Sequence, residues 1–155
     1  MYQEVKLELI FLLPIFLPFL TAIFLFLNKK LFNELITNFF TLNSALLSFA
    51  IAAYSFISLA LDKFKPVNVE LFQWISNPDI SIGFTLDGLS GIMLILVTGL
   101  SFVIQLFSTS YMEEDENHCN YFVYFNFFVF SMLLLVMSSN FLVMFFGWEL
   151  VGLSS

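Results

Sequence analysis

The chain has 155 residues, of which 60% are hydrophobic, 19% aromatic and only 11% charged, and its formal net charge is −7. Soluble proteins are about half apolar and about a quarter charged, so a mean hydropathy of +0.95 excludes an ordinary soluble domain and indicates an integral membrane protein. The cations are all lysines and form no basic patch, which excludes nucleic-acid binding as well.

The content of cysteine and histidine argues against a metal centre. A single Cys119 rules out an internal disulfide, and with the neighbouring His118 it provides too few ligands for a zinc or iron–sulfur site. We interpret this pair as part of a loop and predict no metal site. The 23 phenylalanines and the lack of arginine fit an AT-rich organellar gene.

Long apolar runs predict membrane-crossing helices, since about 20 helical residues span about 30 Å of hydrocarbon. The first run, about residues 9–27, contains Pro14 and Pro18, and we interpret it as a retained helix rather than a signal peptide. The second run, about residues 35–61, predicts close helix packing, with a wet channel wall as the alternative. Its small and hydroxylated residues recur at steps of three and four: Thr37, Thr41, Ser44, Ser48, Ala52, Ser55 and Ser58.

The segment from about residue 67 to 86 has the pattern of strands. Ile80, Ile82, Phe84 and Leu86 alternate with small or polar residues, and Asn77-Pro78-Asp79 is a turn signal before them. We predict a small β-hairpin outside the membrane. Because two strands alone are marginally stable, we expect the hairpin to pack against the membrane helices or against a partner subunit.

Three further helices are predicted, at about residues 88–107, 121–137 and 140–155. The first of them has a polar face at helical spacing: Gly91, Thr98, Ser101, Gln105 and Ser108. The acidic segment from Glu113 to Glu116 follows it, and we interpret this segment as a solvated loop. The link Ser138-Ser139-Asn140 is short, and one of its side chains should cap the last helix. The predicted fold is therefore a single all-α membrane domain over residues 1–155, with about five transmembrane helices and a hairpin between the second and third.

Glu149 lies within the apolar last helix, about 13 Å from its predicted start and near the middle of the bilayer. Inserting an acidic side chain at that depth costs a free energy of about 2.5–3.5 kcal/mol. No cationic residue in an adjacent helical turn offsets this cost. Glu149 could be protonated and donate a hydrogen bond to another helix. We favour a proton relay along a hydrated path, because intramembrane acids are usually functional. Candidate supporting residues, by close approach or polarity, are Gly147, Gly152, Gln105, Ser101, Thr98 and Ser131.

Three segments carry a family resemblance: LDGLSGIMLILVTGLSFVIQLFSTSYM (86–112), YFVYFNFFVFSMLLLV (121–136) and NFLVMFFGWELVGLSS (140–155). They closely resemble the N-terminal third of the NADH dehydrogenase subunit 5 family, the largest antiporter-like subunit of respiratory complex I. The resemblance is detailed over about residues 68–155 and extends to the first two helices by pattern. Gln105 departs from the histidine that bacterial relatives often have, and Leu150 replaces a common glycine.

The resemblance implies proton translocation by a complex of the mitochondrial inner membrane that oxidises NADH and reduces ubiquinone. Glu149 matches the glutamate of the family's GWE motif, which family members couple to a lysine on a later helix. NADH, FMN, iron–sulfur clusters and ubiquinone would belong to the complex, with no cofactor in this chain. The hairpin would face the intermembrane space, and the acidic segment the matrix.

The family continues for many more helices than this sequence contains. We therefore expect a second chain that carries them, with a fragmentary sequence as the alternative. Other expected partners are the remaining complex I membrane subunits and membrane lipid. Two rival functions stay open: the large subunit of a multisubunit sodium/proton antiporter, and a structural N-terminal piece without conduction of its own.

Overall fold

The computed structural model describes residues 10–76, 79–113 and 115–155. Within them the helices are α1 (Leu13–Asn28), α2 (Glu34–Leu61), α3 (Gly88–Tyr111), α4 (His118–Val136) and α5 (Phe141–Ser154), and the strands are β1 (Val67–Ser76) and β2 (Asp79–Leu86). The predicted class is confirmed: the protein is helical and apolar, with a hairpin between its second and third helices. The predicted turn residues Asn77 and Pro78 lie outside the described residues.

The number of spanning helices is lower than predicted. In the described ranges, the helices long and apolar enough to cross a membrane are α2, α3 and α4, with 28, 24 and 19 residues. Helices α1 and α5 have 16 and 14 residues, so they are about 24 Å and 21 Å long. Both lengths are below the thickness of the hydrocarbon core, which is about 30 Å. The helical part of α1 begins at Leu13, with Pro14 in its first turn, and α5 begins only after its cap at Asn140.

The segment between α3 and α4 is shorter than predicted, because both helices extend into it. Helix α3 continues to Tyr111, and α4 begins at His118 rather than at residue 121. His118 is only 3% exposed and its ring packs 4.9 Å from that of Phe122. The interpretation of His118 and Cys119 as loop residues was therefore wrong: ring packing one turn further along the helix draws His118 into α4.

Helices α1 to α4 pack as a bundle, and α5 packs mainly against α4. As predicted, the small-residue stripe of α2 is buried, although Ser58 is only half-buried and Leu59 occupies the buried position instead. Helix α3 lies close to α2 because Gly91 faces Phe56: a methyl group on Gly91 would lie 2.8 Å from that ring. The polar residues of α2 and α3 are consequently enclosed between the two helices.

The hairpin is antiparallel, with Val67 paired to Leu86 and Ser76 to Asp79. It is held by the link between α4 and α5, where the Thr85 amide donates to the Met137 carbonyl (2.8 Å) and the Ser139 amide to the Gly83 carbonyl (3.2 Å). The Asn140 side chain donates to the Ser81 carbonyl (2.6 Å) and accepts from the amides of Leu142 and Val143, which caps α5 as predicted. The hairpin is thus bound to the helices by hydrogen bonds to the link that precedes α5, as expected.

Helix α3 begins with a capping box. The Asp87 carboxylate accepts from the Ser90 amide (2.7 Å), and the Asp87 amide donates to the Ser90 hydroxyl (2.7 Å). The hydrogen bonds from Ser90 hold the pKa of Asp87 below its ordinary value. Since the folded-state pKa is lowered, the stabilisation is present above the unfolded pKa and is lost as the pH falls through the folded one.

Replacing Asp87 with Ala should destabilise the protein by about 1 kcal/mol, because the Ser90 amide at the start of α3 loses the carboxylate that accepts its hydrogen bond. The measurement is thermal unfolding of the membrane-reconstituted protein at neutral pH. Asp62→Ala is the matched control. At the end of α2 it is the Asp62 backbone amide, and not the side chain, that donates hydrogen bonds to the helix, so the substitution leaves these bonds in place. Equal effects of the two substitutions would contradict the assignment of the cap.

Candidate functional site

Glu149 lies on the outer side of α5, about 12 Å along the helix from Phe141 at about 1.5 Å per residue. Its side chain is exposed among the described residues. It borders an open cavity of about 370 Å³ whose other lining residues are Trp148, Val151, Gly152 and Leu153. All of these belong to α5, and none is cationic. The carboxylate is therefore presented at an apolar surface, accessible to groups that approach from beyond α5.

The two glycines that flank Glu149 have different surroundings. Gly147 is buried against α4: a methyl group there would lie 2.6 Å from the Leu135 amide nitrogen and 2.7 Å from the Leu135 Cα. Gly152 has nothing within 4 Å of such a methyl group. Gly147 thus allows α5 to lie directly on the backbone of α4, and Gly152 leaves an open surface one turn from Glu149.

Three buried polar side chains from three helices meet inside the bundle, and we call them the polar cluster: Thr41, Gln105 and Asn126. The Thr41 hydroxyl donates to Gln105 Oε1 (2.9 Å), and Asn126 Nδ2 donates to Thr41 Oγ1 (2.6 Å) and to the Phe122 carbonyl (2.8 Å). Each is at most 1% exposed. The cluster lies about 9–12 Å from the ends of α3 and α4 that flank the acidic segment.

The remaining predicted polar residues bond within their own helices. The hydroxyls of Thr98, Ser101 and Ser131 donate to carbonyls one turn earlier, at Leu94, Val97 and Phe127. All three are buried. Of the predicted supporting residues, Gly147 and Gly152 accompany Glu149 on α5, whereas Gln105, Ser101 and Thr98 face the interior between α2 and α3.

A second polar region lies at the end of the bundle near the acidic segment. There a cavity of about 450 Å³ is bordered by His118 and Cys119 of α4, by Glu34 and Thr37 of α2, and by the exposed Asp115 and Glu116. Glu113, Asp115 and Glu116 of the predicted solvated segment are exposed, and Glu114 lies outside the described residues. His118 borders this cavity and is buried at the end of the bundle.

Neither Asn126 nor His118 was predicted to be functional. Asn126 interrupts the run YFNFFVF, and a carboxamide inside an apolar helix is a signal that could have identified it, because such groups usually bond to another helix. His118 had no such signal, since it follows the acidic segment and resembles a loop residue. Thr41 was assigned to packing, whereas it also bridges Gln105 and Asn126.

The fold matches that of a solved membrane assembly. A chain of the membrane-bound sulfane sulfur reductase (MBS), an archaeal respiratory membrane complex, aligns with a TM-score of 0.81 and 21% identity over 95% of this chain and 29% of that chain. At this identity the likeness concerns the fold alone. The chain therefore shares the multi-helix fold of that chain.

Sequence relatives define the family more closely. The family described as "NADH-Ubiquinone oxidoreductase (complex I), chain 5 N-terminus" matches residues 72–122. NADH-quinone oxidoreductase subunit L of Buchnera aphidicola is 36% identical over 96% of this chain, and that of Escherichia coli K12 is 34% identical over 92%. NADH-ubiquinone oxidoreductase chain 5 of Rhizopus stolonifer is 37% identical over 90%. The chain belongs to this family of complex I membrane subunits and corresponds to its N-terminal part.

The chain spans less than a quarter of the length of these relatives. It covers 24% of the two bacterial proteins and 21% of the fungal one. The relatives therefore contain a long region that has no counterpart in this sequence.

Proposed function

We propose that this chain is a proton-translocating membrane subunit of mitochondrial NADH:ubiquinone oxidoreductase and that Glu149 relays protons. The observation that carries the proposal is one carboxylate on the apolar helix α5, about 12 Å from Phe141, at an open apolar surface. The relatives named as subunits of NADH-quinone oxidoreductase support the complex. A chain 5 relative from a fungus and the arginine-free, phenylalanine-rich composition support the mitochondrial inner membrane.

The chemistry of the relay follows from the cost of a charge in lipid. A lone carboxylate at mid-bilayer costs about 2.5–3.5 kcal/mol, so Glu149 is stable as an anion only with a cation or water beside it. When a cation approaches, the ionised form is favoured and a proton is released. When the cation withdraws, the neutral form is favoured and a proton is taken up. Alternation between these two states moves protons past α5.

The exposed face of α5 is the surface where the cation would arrive. Phe145, Trp148 and Leu153 are 50%, 62% and 77% exposed around Glu149. Lipid could cover the aromatic and aliphatic groups, but it offers no partner to the carboxylate. We therefore place further helices of the subunit against this face, and lipid against the outer surfaces of α2 and α3.

In this proposal the chain contributes proton transfer, and electron transfer occurs elsewhere in the complex. NADH, FMN, iron–sulfur clusters and ubiquinone would be bound by other subunits. The described part of this chain contains no group of three or more His, Cys, Asp or Glu residues placed to hold a metal ion.

The test is Glu149→Gln in the assembled complex, because glutamine keeps the shape of the side chain and cannot exchange a proton. The rate of proton transfer through this chain should fall by about 10²-fold or more, the usual contribution of a proton-transferring group, so fewer protons should be pumped per NADH oxidised. Glu70→Gln, in the exposed strand β1, is the matched control and should pump normally. Normal pumping by Glu149→Gln would favour a purely structural role for the chain.

A second measurement separates the proposal from the antiporter alternative. Purification of the native complex through this chain should recover flavin and iron–sulfur proteins. If the purified complex lacked redox proteins and its proton flux depended on sodium, this chain would be an antiporter subunit instead.

A further inference from the structure

The cavity of about 450 Å³ at the end of the bundle has charged groups of both signs in its wall, and we call it the end cavity. It lies between the end of α1, the start of α2 and the start of α4. Its charged groups are the ammonium of Lys29 and the carboxylates of Glu34, Asp115 and Glu116. Ligand pockets have volumes of about 300–1,000 Å³, so the end cavity is large enough to hold a small charged group.

His118 is the residue that indicates a ligand in the end cavity. It borders the cavity and is 3% exposed, and neither of its ring nitrogens has a hydrogen-bond partner among the described residues. A neutral imidazole has one nitrogen that donates and one that accepts. Buried polar groups of native proteins are nearly always paired. The His118 ring therefore calls for a ligand that offers both an acceptor and a donor.

The charges around His118 restrict the chemistry of that ligand. An anion alone would meet three carboxylates and a single ammonium, and a cation alone would leave Lys29 without a counter-charge. A zwitterion with a primary ammonium and a phosphate fits both signs. Its ammonium donates to carboxylates and to the accepting nitrogen of His118, and its phosphate accepts from Lys29 and from the donating nitrogen.

Exposed leucines beside the end cavity indicate that the zwitterion belongs to a lipid. Leu27, Leu31 and Leu35 are 74%, 78% and 78% exposed, and Leu35 itself borders the cavity. Lys29 and Glu34 lie at the ends of the apolar helices α1 and α2, the level at which the polar head groups of a bilayer begin. Acyl chains would cover the leucines while the head group enters the cavity.

We propose that the end cavity binds the head group of phosphatidylethanolamine. The ammonium lies between the carboxylates of Glu34 and Glu116, the phosphate lies beside Lys29, and His118 pairs with both groups. The acyl chains follow Leu35 into the membrane. Phosphatidylcholine has the same phosphate, but its quaternary ammonium has no N–H to donate. The site therefore selects phosphatidylethanolamine over phosphatidylcholine, and this inference does not depend on the role of Glu149.

Photocrosslinking of the assembled complex tests the proposal. The complex is reconstituted in phosphatidylcholine vesicles that contain a trace of phosphatidylethanolamine or phosphatidylcholine with a diazirine near the glycerol end of one acyl chain. Mass spectrometry then measures the labelling of residues 27–35. The ethanolamine probe should label this segment at least about 10-fold more than the choline probe, the factor that one hydrogen bond to a charged group provides. Equal labelling by the two probes would overturn the proposal.

Soluble glycerophosphoethanolamine distinguishes a lipid from a free head group. It has the same ammonium and phosphate but no acyl chains to cover the exposed leucines. At the same concentration as the lipid probe it should leave the labelling unchanged. Complete loss of labelling would show that the site takes the free head group, and the assignment to a membrane lipid would be wrong.

A double substitution tests the carboxylates in the same assay. Glu34→Gln combined with Glu116→Gln should reduce the preference for phosphatidylethanolamine to nearly none, because amides cannot pair with the ammonium charge. Glu113→Gln is the matched control, since Glu113 is exposed in the same acidic segment and is not among the residues that border the end cavity. An unchanged preference in the double variant would contradict the site. If that variant fails to assemble, the two probes on the unaltered complex decide.

Discussion

Replacing Gly147 with Ala is expected to weaken the packing of α5 on α4 and to lower the amount of assembled complex. The added methyl group would lie 2.6 Å from the backbone nitrogen of Leu135 and 2.7 Å from its Cα. A backbone cannot rotate away as a flexible side chain can, so the two helices must separate. Overpacking of this kind costs about 1–3 kcal/mol. The measurement is the amount of the intact complex on native gels and its dissociation temperature.

Gly152→Ala is the control for this prediction, because it makes the same chemical change on the same helix. Nothing lies within 4 Å of a methyl group at Gly152, and alanine stabilises a helix by about 0.5–1 kcal/mol relative to glycine. The complex with Gly152→Ala should be at least as abundant as the unaltered one. If Gly147→Ala assembled as well as Gly152→Ala, the contact between α5 and the Leu135 backbone would not be the one that positions Glu149.

Replacing Asn126 with Leu is expected to destabilise the bundle by about 1–2 kcal/mol, in the range measured for hydrogen bonds between membrane helices. The change keeps the size of the side chain and removes the donor to Thr41 and to the Phe122 carbonyl. Because Thr41 also donates to Gln105, removal of the Asn126 side chain separates α4 from the hydrogen bond that joins α2 and α3. The measurement is the dissociation temperature of the assembled complex.

Ser131→Ala is the matched control on α4. Ser131 is 0% exposed, like Asn126, but its hydroxyl donates to the Phe127 carbonyl of its own helix rather than to another helix. Its loss should change the dissociation temperature little. A double substitution of Asn126 and Gln105 should then cost less than the sum of the two single substitutions, because both act through Thr41. Strict additivity would argue against a single connected cluster.

Local patterns were sufficient for the secondary structure and its caps. The apolar runs located the helices because a chain in lipid must satisfy its backbone hydrogen bonds internally. The alternation from Ile80 to Leu86 located β2 because side chains of a strand point to opposite faces. The link Ser138-Ser139-Asn140 predicted a cap for α5 because such side chains accept from the first free amides of a helix, and Asn140 is the residue that does so. The ends of α3 and α4 were less predictable, since the ring contact between His118 and Phe122 extends α4 into an apparent loop.

The sequence by itself determined that this is a membrane protein with helices in these places, a hairpin beside them and one acid inside an apolar helix, because those features depend on neighbours along the chain. Only the tertiary structure decided which polar groups meet. Thr41 and Gln105 are 64 residues apart and Thr41 and Asn126 are 85 apart, so their contacts depend on how α2, α3 and α4 are rotated about their axes. The packing of α5 on α4 likewise decides that Glu149 points away from the cluster. No local spacing sets such a rotation, since it results from the packing of every helix at once.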